Sequence, residues 1–241
     1  MNNSPAHFPT RRQILRNSAA AAIGACGVGM GAEIGRAIEP IVRNGSPKFK
    51  FSLAAYCYRE LLTGSPAELT LADFIDDCAD MNLEGTELTS YYFPTPVTNE
   101  IINSLKQRCF RLGLDVSGTA VGNDFGFPKG PEREKQIAGV KAWIDHAQAL
   151  GAPVIRIFAG KQKNEISADQ SHRLMVEGIA ECCDYAGQRG VHLALENHGG
   201  PTATAQGMLN FIRDVQSPWF GVNFDSGNFY TAEPYHDLER I

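Results

Sequence analysis

From Lys48 onward, two rhythms of apolar residues alternate along the chain. Short runs rich in β-branched and other apolar residues lie at residues 49–55, 85–89, 115–120, 154–158, 192–196 and 221–225, and each predicts a strand. Between them, apolar residues recur at helical spacing. Leu71, Phe74, Ile75 and Cys78 form one stripe, and Ile101, Leu105, Cys109 and Leu112 the next. Ile137, Val140, Ile144 and Ala147 form a third, Met175, Ile179, Cys182 and Ala186 a fourth, and Ala205, Met208, Ile212 and Val215 a fifth. Ser167 followed by Gln170 predicts a capping box at the start of the fourth helix. Gly113, Gly151 and Gly190 each stand between a helix and the next strand, where a left-handed residue ends a helix.

A strand begins roughly every 30 to 40 residues, the size of a βα unit, so the elements predict a parallel α/β sheet, either doubly wound or closed into a barrel. The first strand runs into Ala55-Tyr56-Cys57-Tyr58-Arg59 with no glycine in the turn, unlike a dinucleotide-binding sheet. Polar residues gather instead at the C-terminal ends of several strands: Glu87, Asn123 and Asp124, Arg156, Glu196 with Asn197 and His198, and Asp225 with Asn228. That distribution favours a TIM (β/α) barrel with its site on the C-terminal face. Six βα units are visible where a closed barrel has eight, and the sequence stops in what reads as a sixth helix just begun. The expectation is an incomplete barrel, either a truncated copy or one whose open edge another chain covers, a homo-oligomer included.

Composition changes this picture little. The chain has 241 residues, 43% of them hydrophobic and 20% charged, which suits one large domain. A formal charge of −5 argues against a nucleic-acid partner. The first residues differ from the rest. Arg11 and Arg12 precede the uncharged stretch 17–32, rich in Ala and Gly, which resembles a twin-arginine export signal. Residues 1–47 are therefore expected to be signal and linker, residues 48–241 the barrel, and the location periplasmic or otherwise exported. Ile23-Gly24-Ala25-Cys26 resembles a lipoprotein box, so a membrane attachment is expected only through a lipid on Cys26. The remaining cysteines fall on helices or just after a strand, most of them as small buried hydrophobes rather than disulfides or zinc ligands.

The chemistry concentrates in two stretches, Leu193-Ala194-Leu195-Glu196-Asn197-His198-Gly199-Gly200 and Val222-Asn223-Phe224-Asp225-Ser226-Gly227-Asn228-Phe229. In each an apolar strand ends in a carboxylate, which is costly to bury unless it is paired or bound to a cation. Oxygen ligands with an imidazole nearby suit a divalent metal: Mg, Mn, Co or Zn. The bland reading makes Glu196 and Asp225 structural ion-pair members and lets Glu87 pair with Arg156. His146, His172 and His192 are expected in surface or packing roles, Trp143 and Trp219 in the core.

These two stretches, with Glu87-Leu88-Thr89-Ser90-Tyr91-Tyr92 and Ser117-Gly118-Thr119-Ala120-Val121-Gly122-Asn123, resemble the xylose-isomerase-like barrel family of sugar isomerases and epimerases, inositol-catabolic enzymes and abasic-site endonucleases. The resemblance implies that Glu196 binds the metal and moves a proton, and that Asp225 is a second ligand. It implies two further ligands on strands seven and eight. Where members often carry a histidine three residues after the aspartate, this chain has Asn228. Substrate contacts are expected from Glu87, Asn123, Arg156, His198 and Asn228, with Tyr91, Tyr92 and Phe93 as a wall. The implied reaction is proton transfer next to the carbonyl of a sugar or polyol, through a metal-stabilised enediolate. Two rivals stand beside it: a non-catalytic sugar- or partner-binding remnant, and an endonuclease-type member, which the acidic balance and the export signal disfavour.

Overall fold

The computed structural model describes Gly45 and residues 49–241; Arg11, Arg12 and Cys26 lie outside the described residues. Six strands, β1 (Ser52–Ala54), β2 (Gly85–Glu87), β3 (Asp115–Ala120), β4 (Val154–Ile157), β5 (His192–Glu196) and β6 (Phe220–Asn223), form one sheet in the order β1-β2-β3-β4-β5-β6. Every pairing is parallel. Helices alternate with them: α1 (Leu71–Asp80), α2 (Asn99–Leu112), α3 (Pro131–Leu150), α4 (Ala168–Gly187), α5 (Ala205–Asp214) and α6 (Pro234–Glu239). A short helical turn, Arg59–Thr63, follows β1. This is a TIM-barrel-like arrangement of six βα units, as the alternation predicts.

Burial explains the strand sequences. In β5 only His192 is exposed, and Leu193 to Glu196 are buried, as expected of a strand covered on both faces. No residue of β6 is fully buried and β1 has none either, because each pairs on one side only among the described residues. The stripes of α1, α3 and α4 are all buried at the predicted positions. Two stripes are rotated slightly. In α2 the core side chain is Ile102 rather than Ile101, and Leu112 is exposed. In α5 Phe211 is buried where Ile212 was expected, the larger side chain taking the inward position.

Helix ends follow hydrogen-bond supply. Thr70 and Asp73 form a reciprocal capping box on α1, while Thr98, Ser167 and Thr204 cap α2, α4 and α5. Gly113 and Gly151 are left-handed, with φ of 74° and 83°, and end α2 and α3. Gly190 is also left-handed, but α4 ends at Gly187, so Gly190 turns the chain into β5 instead of capping the helix. Cys78, Cys109, Cys182 and Cys183 are free and buried, and burial pushes the Cys109 thiol up to about 11 and those of Cys182 and Cys183 to about 12. They are inert core residues; Cys57 is exposed. Trp143 is buried and Trp219 packs against the core from its edge. Among the described residues no helix is long and apolar enough to cross a membrane.

Candidate active site

Glu196 is the last residue of β5, which pairs with β4 on one side and β6 on the other, and is 7% exposed. A carboxylate there needs donors, and three elements supply them. Arg156, from the neighbouring β4, brings its Nε 2.9 Å from Glu196 Oε2. His198 Nδ1 lies 2.9 Å from Oε1, and Asn228 Nδ2 donates to the same oxygen at 2.8 Å. The tautomer protonated on Nδ1 donates to Oε1 and leaves Nε2 as the atom free to meet a ligand, whereas the other accepts at Nδ1 from the Asn228 amide. The Asn228 amide nitrogen is also 3.0 Å from His198 Nδ1, so the three side chains form a tight triangle.

The period of a strand explains who joins this cluster. Arg156 and Phe158 are two residues apart, as are Glu196 and His198, so each pair projects to one side. The Arg156 guanidinium lies 4.0 Å from the centre of the Phe158 ring, and the His198 ring packs on the same phenyl at 4.7 Å. Arg156 also donates to the Val121 carbonyl at 3.1 Å. Phe158 is thus a structural floor that sequence reading missed, although its spacing from Arg156 carried the signal.

Glu87 ends β2 and is part-buried, with Thr89 Oγ1 3.4 Å from its Oε1. Burial pushes its carboxyl above the usual carboxylate range; the Arg156 charge and the Thr89 hydroxyl oppose the shift, and the charge of Glu196 adds to it. Glu87 and Arg156 do not pair within 4.0 Å. Arg156 goes to Glu196 instead, so the expected Glu87–Arg156 pair is not formed and Glu196 is the ion-paired carboxylate.

Asn123 and Asp225 are placed differently from the rest. Both polar atoms of the Asn123 amide bond to the main chain of Phe158, at 2.7 Å and 2.9 Å, which ties the β3 and β4 loops together. Asn197, fully buried, does the same one strand along: its amide bonds to the Asp225 carbonyl at 2.9 Å and N–H at 2.8 Å. These amides extend the parallel ladder past the strand ends. Asp225 itself lies two residues beyond β6 rather than inside it, and its Oδ1 accepts the Gly227 N–H at 2.7 Å. Register pairs Glu196 with Asn223, two residues before Asp225, so both carboxylates stand at the C-terminal ends of neighbouring strands.

As a metal donor set the pair is right in kind and short in number. Carboxylate oxygens are what a hard divalent cation takes, but such an ion wants about six ligands. Among the described residues no three His, Cys, Asp or Glu side chains gather as metal ligands, and Arg156 supplies the positive charge beside Glu196.

A family model described as xylose isomerase-like TIM barrel matches residues 75–240, well over half of the chain. The chain belongs to the xylose isomerase-like TIM barrel family. Solved structures of that fold resemble it at low identity. A probable 3-DHS dehydratase from Bacillus anthracis, involved in petrobactin synthesis, is 21% identical, with a TM-score of 0.63 over 80% of this chain and 69% of that one. D-psicose 3-epimerase with D-tagatose from Clostridium cellulolyticum H10 is 18% identical, with a TM-score of 0.61 over 72% of this chain and 62% of that one. A xylose isomerase-like barrel protein from Mycobacterium smegmatis in complex with magnesium is 16% identical, with a TM-score of 0.62 over 80% and 71%. None of the curated proteins compared matches this chain. The likenesses establish the fold, and this chain spans 62% to 71% of the lengths of those three proteins.

Proposed function

We propose that this family member acts on a sugar or polyol by moving a proton at the carbon beside a carbonyl, with Glu196 as the base. The observation that carries the reading is one buried carboxylate at the C-terminal end of β5, held by three side chains. Structural neighbours that are an epimerase and a dehydratase support the class, since both reactions can begin by removing a proton next to a carbonyl. Glu196 and Asp225 would hold a divalent cation, which when bound polarises carbonyl and hydroxyl oxygens; the magnesium-bound neighbour is consistent with this.

The chain's own residues divide the remaining work. Arg156, His198 and Asn228 present N–H donors around one carboxylate. When substrate oxygens draw a donor away, a carboxylate lone pair is freed to take a proton from carbon. His198, with more than half of its side chain exposed, can follow the substrate, whereas Arg156 is fixed by Phe158 and Val121. Glu87, whose carboxyl burial pushes above the usual carboxylate range, offers a hydroxyl-binding group near Arg156. We propose in addition that Arg11 and Arg12 direct export, which fractionation of cells expressing an Arg11→Lys, Arg12→Lys variant tests.

A second reading is a binding protein without turnover, favoured by the pairing of both Glu196 oxygens with protein donors. One experiment separates the two. The chain is incubated with D-tagatose and with D-fructose in D₂O, with and without Mn²⁺, and loss of substrate C–H signals is followed by NMR. Exchange that falls about a hundredfold or more in Glu196→Gln supports the proton-transfer reading. Exchange that survives that substitution removes Glu196 as the base, and heat of binding with no exchange supports the binding protein.

A further inference from the structure

A cavity of about 630 Å³ opens between the loop after β4, the first turns of α4 and the second half of α5. It includes none of Glu196, Arg156, His198 or Asn228. Its size falls in the range of small-molecule sites. Ser171 lines it, is only 2% exposed, and its Oγ has no hydrogen-bond partner. Leaving a buried hydroxyl unpaired costs stability, and a ligand that bonds to it would recover that loss.

The start of α4 supplies further donors. Ser167 Oγ accepts the Gln170 N–H and the Ser167 carbonyl accepts the Ser171 N–H. Among the described residues the N–H groups of Ala168 and Asp169 find no acceptor, and both residues line the cavity. A 20-residue helix also places partial positive charge at this end. Lys161 and Arg173 line the same cavity and enter no ion pair among the described residues. Arg213 contributes less, because Asp214 holds it and also bonds to His172 at 2.8 Å. Asp169 is the one carboxylate in the lining, and it is exposed.

We propose that this cavity binds the phosphate group of a small phosphorylated molecule, with the Ser171 hydroxyl and the Ala168 and Asp169 N–H groups as donors and Lys161 and Arg173 as counter-charges. A tetrahedral oxyanion can use several donors that converge on a helix start together with a guanidinium. The cavity is larger than phosphate alone, which leaves room for an organic group beside Met175 and Pro201.

The test is calorimetric titration and thermal denaturation of the full chain with inorganic phosphate, ribose 5-phosphate and ribose, at matched ionic strength in a buffer free of phosphate. Phosphate and the ester are expected to raise the melting temperature, and ribose is not. Affinity for both is expected to fall about tenfold in Arg173→Ala and in Ser171→Ala. Ser171→Ala is also expected to leave the ligand-free melting temperature unchanged or higher, since no hydrogen bond is lost, and a merely structural serine would not give that combination. Tighter binding of the ester than of phosphate identifies the organic group's place in the cavity; equal binding reduces the site to free phosphate and keeps the anion assignment. No response to either anion, an equal response to chloride, or unchanged phosphate affinity in both variants overturns the proposal.

Discussion

Replacing Arg156 by methionine isolates the role of the ion pair. The guanidinium nitrogen is 2.9 Å from Glu196 Oε2, and the two side chains are 12% and 9% exposed, so solvent screens them little. Two unit charges about 4 Å apart attract by about 4 kcal/mol at an effective dielectric of about 20. Methionine keeps much of the packing on Phe158 but leaves Glu196 with His198 and Asn228 alone. Those two hydrogen bonds offset part of the loss, and the net expectation is a destabilisation of about 3 kcal/mol at neutral pH. For a domain of this size that lowers the melting temperature by roughly 6 to 12 °C. Urea denaturation of Arg156→Met, Glu196→Gln and the double variant at neutral pH measures it. A coupling of about 2 to 3 kcal/mol is expected at neutral pH. A cost for Arg156→Met below about 1 kcal/mol, or strictly additive variants, refutes the reasoning.

Three other substitutions test the surrounding frame. Asn197→Ala removes two hydrogen bonds and strands the main chain of Asp225, so a loss of about 2 to 3 kcal/mol is expected in the same denaturation assay. Gly160→Ala puts a methyl group against Asp124 Oδ1 and within 2.7 Å of the Phe125 nitrogen, at φ of 110°; a melting temperature lowered by more than about 5 °C is expected. Glu87→Gln removes a carboxyl whose folded pKa lies above its unfolded one, a group that disfavours folding once pH rises through that range. The variant is therefore expected to gain stability relative to the parent at pH 7 and not at pH 4, as melting curves at the two values will show.

Much of this arrangement is legible in the sequence, and the limits have physical causes. Helical periodicity located five helices because each buries one face, and where it erred, at Ile102 and Phe211, the error was one residue of rotation. The strand ends were readable because burial of a strand like β5 makes a terminal carboxylate conspicuous. Partners were not readable. Nothing in the order of residues says that Arg156 turns to Glu196 rather than Glu87, since that choice depends on the β4·β5 register and on the Phe158 ring beneath the guanidinium. Asn123 could not be told from a substrate ligand by type, because an amide at a strand end serves either a ligand or a neighbouring main chain. The cavity at Ser171 lay in a helix stripe that reads as ordinary packing, and only the missing partner of one hydroxyl sets it apart.

The two carboxylates expected to act together are held by opposite means, and this bears on the order in which they could work. Asp225 is fixed through its backbone, clamped by Asn197, with Oδ1 turned back to Gly227. Its position therefore survives any change in its own protonation or ligands. Glu196 is fixed through its side chain by three donors, one of them the charged Arg156, so its surroundings respond to its own charge. A group anchored by main chain suits a constant duty such as holding a cation, and a group anchored by exchangeable donors suits a duty in which its charge must change. On the proposed reading, Asp225 as holder and Glu196 as proton carrier match the way each is supported, a difference that the carboxylate group they share does not supply.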